Sequence, residues 1–221
     1  MIVEQLRQHY TKVVVGAEPV FREMRTRDGH ALGVFEWPAG TSRLGVHFYA
    51  SAGASEYGPE ARDHAVELFV GVKPGDDAVL EGFADMALSV LKSGTVPRHG
   101  VFVAGDWKVI KGRDFTGWVL TERLDDLVPQ LDLPEGRHVV FLDALPVFWE
   151  EAEYRHGNRA DDLFEIWEAE EVKSWDLDRS LPAGIQPRPA GPAAWIGRAL
   201  GKAKRRWRNR IYPPLAFGGR R

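Results

Sequence analysis

Cysteine is absent from the 221-residue chain. That excludes disulfides, thiolate-bound zinc and thiol nucleophiles, and it fits a reducing compartment. Long apolar runs are missing too: nothing approaches the ~18 residues of a membrane-spanning helix. The opening, MIVEQLRQHYTKVVVG, carries charges throughout and has no apolar h-region, so it does not read as a signal peptide. The body is therefore expected to be cytoplasmic. No G-x-x-x-x-G-K-[ST] segment occurs, which removes a P-loop. The sequence has no internal repeat. Its seven histidines are scattered, and none joins a repeated acid–base pattern.

What is present is a globular composition with an uneven charge. Apolar residues make up 44%, enough for a real core. Eight tryptophans are many for this length; some belong inside, but Trp is also favoured at interfaces. The net charge of −3 hides a segregation. From Ala193 to Arg221 there are nine Lys and Arg and no acid, so the remaining 20 bases face all 32 acids, a net of −12. An acidic body carrying a basic tail points to a partner for one or both parts.

Periodicity gives the organisation. VEQLRQHYTKVV reads as an opening helix, with Val3, Leu6, Tyr10 and Val13 at helical spacing. HALGVFEWP, SRLGVHFYASAG and HAVELFVGV read as strands bounded by Gly or Pro. Asp76 offers an N-cap for DAVLEGFADMALSVLKSG, whose apolar stripe is Val79, Leu80, Phe83, Met86, Ala87, Val90 and Leu91, with Gly94 placed to end it. HGVFVAGDWKVIKG, TGWVLTERL and GRHVVFLDALPV are β-rich, and their spacing predicts an antiparallel or mixed sheet rather than repeated βαβ units. Helical pieces follow at 148–156 and 160–170. The expected division is a body over 1–180, a Pro-rich linker over 181–192 and a tail over 193–221. In the tail, Ile196, Leu200, Ala203, Trp207 and Ile211 share one face of a basic amphipathic helix.

Three groups invite a chemical reading. Glu153 and His156 make one Glu-x-x-His, the spacing of carboxylate-bridged dimetal bundles, but those need a second copy on a facing helix. His64 and Glu67, in HAVE, fall on an expected strand instead. GASEYG lacks the last glycine of a nucleophile elbow, Tyr57 standing in its place. His47 lies in a strand-like run and reads as a packed or edge histidine. An enzyme built on Glu153, His156 and Asp161 remains the rival class. The leading expectation is no catalytic residue, no metal and no cofactor.

Several segments, in order, resemble the suppressor-of-fused domain. AVELFVGVKPGDD resembles the strand and turn leading into that domain's long helix. TVPRHGVFVAGDWKVIKG and FTGWVLTERLDDL resemble its next portion, and LDALPVFWEEAEYRHG resembles its Pro-then-Glu-Glu segment, with Pro146, Glu150 and Glu151 matching. HGNRADDLFE follows as the next element. The resemblance covers roughly residues 12–175. One departure is that Phe148 and Trp149 stand where the family often has Thr or Ser before a helix.

The resemblance implies an α+β fold with helices packed on a mainly antiparallel or mixed sheet, and it implies protein binding rather than catalysis. The animal member sequesters a transcription factor, and many bacterial relatives look like immunity proteins that neutralise toxins. The expected partner is thus a protein, with a toxin domain as one candidate, met by acidic and aromatic residues: Trp149, Glu150, Glu153, Trp167, Glu168, Glu170 and Glu171. A core stripe of Leu163, Phe164 and Trp167 is the competing account of Trp167. The tail residues Trp195, Arg198, Lys202, Arg205, Arg206 and Trp207 suit an anionic membrane, the chain's own acidic body or another subunit. Nucleic acid is not expected, because a body at −12 would be repelled by phosphate.

Overall fold

The alternating apolar runs build one eight-stranded mixed sheet in a computed structural model, which describes residues 2–12, 17–25, 31–42, 45–56, 64–92, 96–105, 108–122 and 127–186. The strands are β1 (Val20–Arg25), β2 (Ala31–Trp37), β3 (His47–Ala52), β4 (His64–Val72), β5 (Phe102–Ala104), β6 (Gly117–Thr121), β7 (Leu131–Asp132) and β8 (His138–Val147). The helices are α1 (Ile2–Tyr10), α2 (Asp77–Lys92), α3 (Trp149–Gly157) and α4 (Ala160–Ala169). The lateral order is β1-β2-β3-β4-β8-β6-β5, with β7 beside β8. Every pairing is antiparallel except β4 with β8. The α+β architecture expected from the sequence is what the chain adopts.

β8 organises the rest. Its side chains alternate between the two faces of the sheet. Val140, Leu142 and Ala144 turn toward α2, into a core with Val79, Phe83, Ala87 and Val90. On the other face, Val139 and Phe141 join Leu6 and Tyr10 of α1, while Leu145 and Val147 join Ala152, Leu163 and Trp167 of α3 and α4. Covered on both faces, β8 reads as a continuous apolar run rather than an alternating one.

The α2 stripe packs as its spacing predicts, and Asp76 caps the helix by accepting the Val79 N–H at 3.0 Å. Gly82 is required there. A Cβ on it would lie 2.1 Å from the carbonyl oxygen of Val109, so only glycine lets that loop approach the helix. Leu91 and Gly94 lie outside the described side chains.

Three expectations change. β1 and β7 were not marked by periodicity: β1 is VFREMR, an edge strand whose charged residues hide its alternation. Among its described residues, the long run HGVFVAGDWKVIKG yields three strand residues, Phe102–Ala104. The linker expected from residue 181 begins inside the fold. Ile185 is 2% exposed and packs with Leu163 and Trp167, and the compact unit runs from Met1 to Ile185. Pro182 and Gly184 lie in a turn there, closed by the Ile185 N–H on the Pro182 carbonyl at 3.1 Å. The expected tail helix lies outside the described residues. Among the described residues, no helix is long and apolar enough to cross a membrane.

Candidate functional site

The site is built where β8 ends and α3 begins. Phe148 is the N-cap, extended at φ −70° and ψ 164°, and has no side-chain acceptor for the first turn. The compensation comes from within the helix: the Glu151 carboxylate accepts the Phe148 backbone N–H at 2.7 Å. This is half of a capping box, the half that does not need Ser or Thr. It resolves the departure noted at Phe148.

Glu151 does more than cap. It is 0% exposed, and its oxygens accept the indole N–H of Trp167 at 2.9 Å and two guanidinium N–H bonds from Arg179, both at 2.8 Å. The Arg179 side chain is itself 5% exposed and donates a further bond to the Pro146 carbonyl at 3.0 Å. Three rings surround the guanidinium carbon: Phe148 at 4.7 Å, Trp167 at 5.0 Å and Phe115 at 5.3 Å. A buried carboxylate is tolerated only with such full pairing. Sequence reading singled out Glu151 only as a family match, and it missed Arg179 altogether. A glutamate three residues past the cap was a signal for the first; nothing local marks the second.

On either side of this inward carboxylate, Trp149, Glu150 and Glu153 are partly exposed. Glu151 and Ala152 are buried, so α3 divides its glutamates between the core and the surface. α4 divides its own. Trp167 is buried, with its N–H on Glu151, which favours the core account of that residue. Glu168 is exposed. Glu170 is exposed but its carboxylate accepts the backbone N–H groups of Ala183 and Gly184 at 2.7 and 2.5 Å, fastening the turn before Ile185. Glu171 has a left-handed backbone at φ 51° and the Val172 N–H returns to the Trp167 carbonyl at 2.8 Å, so it forms the C-terminal stop of α4.

The residues of the rival catalytic reading are not assembled among the described groups. Asp161 accepts His99 Nε2 at 2.9 Å and Arg159 at 2.7 Å, one on each oxygen. The His99 bond, first, and the Arg159 charge hold its carboxyl below the usual range. The His156 side chain is outside the described residues, and Glu153 lies on α3 with partners of its own. Among the described residues, no group of three His, Asp or Glu could hold a metal ion. The tail residues Trp195, Arg198, Lys202, Arg205, Arg206 and Trp207 also lie outside the described residues.

A second buried carboxylate sits on β4. Glu67 accepts Ser51 Oγ at 2.5 Å, Ser55 Oγ at 2.6 Å, and the backbone N–H groups of Gly53, Ala54 and Ser55 at 3.0, 3.2 and 3.0 Å. These bonds fix the turn that contains the GASEYG serine. Burial pushes the Glu67 pKa up, opposed by the hydroxyl and amide donors. Ser55 is thus a ligand of a carboxylate and has no histidine base beside it in the described structure.

With this geometry in place, comparison with known proteins becomes specific. Curated proteins yield no match. Solved structures share the fold. The putative suppressor of fused homolog from Neisseria gonorrhoeae FA 1090 aligns with a TM-score of 0.62 at 13% identity, over 82% of this chain and 97% of that one. A chain of the Sufu–Fu complex aligns at 0.57 and 13% identity, over 85% and 96%. Drosophila Suppressor of Fused aligns at 0.56 and 12% identity over 92% of this chain, which spans 53% of the Drosophila chain. The family model for suppressor of fused protein matches residues 10–180, an interval that contains Glu67, Glu151 and Arg179. The chain belongs to the suppressor of fused family.

Proposed function

We propose that this chain is a non-enzymatic, cytoplasmic protein-binding module that occludes a basic surface on its partner, the partner being a toxin domain and the chain its immunity protein. The observation that carries the reading is the division of α3. Its inner side is locked by Glu151, while Trp149, Glu150 and Glu153 remain at the surface on a rigid support. Rigid aromatics beside charges suit an interface, because little side-chain entropy is lost on binding. The acidic body, at −12 outside the tail, steers a basic partner and speeds encounter. That one of the similar structures is a Sufu–Fu complex agrees with a binding role.

The test is co-expression with the polypeptide encoded beside this one. Restored growth together with a co-purifying complex is the expected result. Toxicity unchanged, with no complex formed, removes the immunity assignment.

The nine bases of the tail support a second reading, attachment to an anionic membrane surface. Full-length protein should then sediment with anionic but not neutral vesicles, and a chain ending at Gln186 should not. No sedimentation at low salt removes this reading.

A further inference from the structure

We infer that the enclosure of Glu151, Phe115, Phe148 and Trp167 is a guanidinium-binding site whose built-in ligand is Arg179, and that it accepts a free guanidinium compound once that side chain is removed. The inference does not rest on the role of the outer surface of α3.

The enclosure engages both terminal nitrogens and the central carbon of the planar cation. Two parallel N–H bonds reach the two oxygens of one carboxylate at 2.8 Å each, the bidentate geometry that a guanidinium supplies and an ammonium does not. A third bond goes to the Pro146 carbonyl at 3.0 Å. The faces of the cation meet rings at 4.7, 5.0 and 5.3 Å, within cation–π range. All of these contacts are made by the terminal nitrogens and the central carbon. The Nε, through which the side chain is attached, has no hydrogen-bond partner. A guanidinium without the Arg179 backbone therefore keeps the whole set.

The pieces come from separate places in the chain. Phe115 precedes β6, Phe148 and Glu151 open α3, Trp167 is on α4, and the ligand arrives from the segment after α4. That segment is also joined to Lys73, the residue that follows β4: the Lys73 N–H donates to the Trp175 carbonyl at 2.7 Å and the Leu177 N–H to the Lys73 carbonyl at 2.9 Å. The site thus works as a receptor that fastens the end of the compact unit to its helical layer. Removing the cation leaves a buried anion, which strongly favours any replacement of the right shape.

The experiment uses the full chain carrying Arg179→Ala, with unfolding temperature as readout. Millimolar guanidinium chloride or N-ethylguanidinium chloride should raise it saturably and recover most of the loss, whereas sodium chloride at equal ionic strength should not. The wild type should show no such rise, and Arg179→Lys should remain destabilised. Glu151→Gln combined with Arg179→Ala should abolish the response. Equal effects of guanidinium and sodium, persistence of the rise in the double variant, or a lysine variant as stable as wild type would each overturn the inference. If Arg179→Ala does not accumulate folded, it is refolded from urea with N-ethylguanidinium or sodium present. Recovery with the guanidinium compound alone supports the site, and no difference between the two salts counts against it.

Discussion

Glu67 and Glu151 are both fully buried, yet the chain satisfies them by opposite means. Glu67 is held by donors from residues 51–55, two hydroxyls and three backbone amides, with no cation among its described partners. Glu151 is held by an arginine 28 residues further along the chain and by an indole from the next helix. The first arrangement is local and shapes one turn. The second closes a long loop and joins three elements. Removing a donor at Glu67 leaves several others, whereas removing Arg179 leaves a buried charge without its counter-ion. The two sites therefore differ in how much of the fold depends on them.

The largest effect is expected at the long-range site. Arg179→Ala should lower the unfolding free energy by ~3–5 kcal/mol, the usual range for breaking a buried pair from one side. Chemical denaturation measures this, and a loss below ~1 kcal/mol would place Arg179 with surface ion pairs. Next comes the segment that Arg179 anchors. A chain ending at Leu181 should be less stable than one ending at Gln186 by ~1.5–3 kcal/mol, since it loses the burial of Ile185. Equal midpoints for the two truncations would show that residues 182–186 contribute nothing to the core.

Glu67→Gln should cost ~1–3 kcal/mol, because its amide group would face donors that now bind a carboxylate. Its pH signature is more diagnostic. Burial raises the folded pKa of Glu67 above the ordinary 4.5, so folding favours the protonated form. That contribution is fully present below the unfolded value and is lost as pH rises through the folded one. The stability of wild type relative to Glu67→Gln should thus fall as pH rises through this window. A difference that is flat with pH would mean that the five donors cancel the burial penalty.

The smallest effect on stability is expected at the surface of α3. Glu150→Lys with Glu153→Lys should shift the unfolding free energy by no more than ~0.5 kcal/mol. The same pair should slow association with a basic partner, and Trp149→Ala should speed dissociation. A large stability loss in the charge-reversed variant would mean that these glutamates belong with Glu151.

Much of the fold was legible because its signals are periodic. The α2 stripe and the Asp76 cap have the spacing of a helix, and β8 is long and apolar because both its faces are covered. β1 was not legible: three of its six residues are charged, and its place at the edge follows from its pairing with β2, Val20↔Glu36 to Arg25↔Ala31, which depends on tertiary order. The candidate site was legible in part. Trp149, Glu150 and Glu153 could be placed near a helix start, but Glu150 and Glu151 are adjacent and chemically identical. Which of them turns inward is set by the phase of α3 relative to the sheet, and its counter-ion lies far along the chain. Glu170 looked like surface charge for the same reason; its partners are backbone amides of a turn that composition alone reads as linker.

The proposed binding surface is the one beside Glu151, and not Glu151 itself. It is tested most directly by quantitative retention of a partner from source cells on immobilised wild type and on the variant Trp149→Ala, Glu150→Lys, Glu153→Lys, both first shown to have the same unfolding midpoint. A protein retained by wild type, released by raised salt and lost from the triple variant is the expected result. Equal retention by the folded triple variant would contradict it.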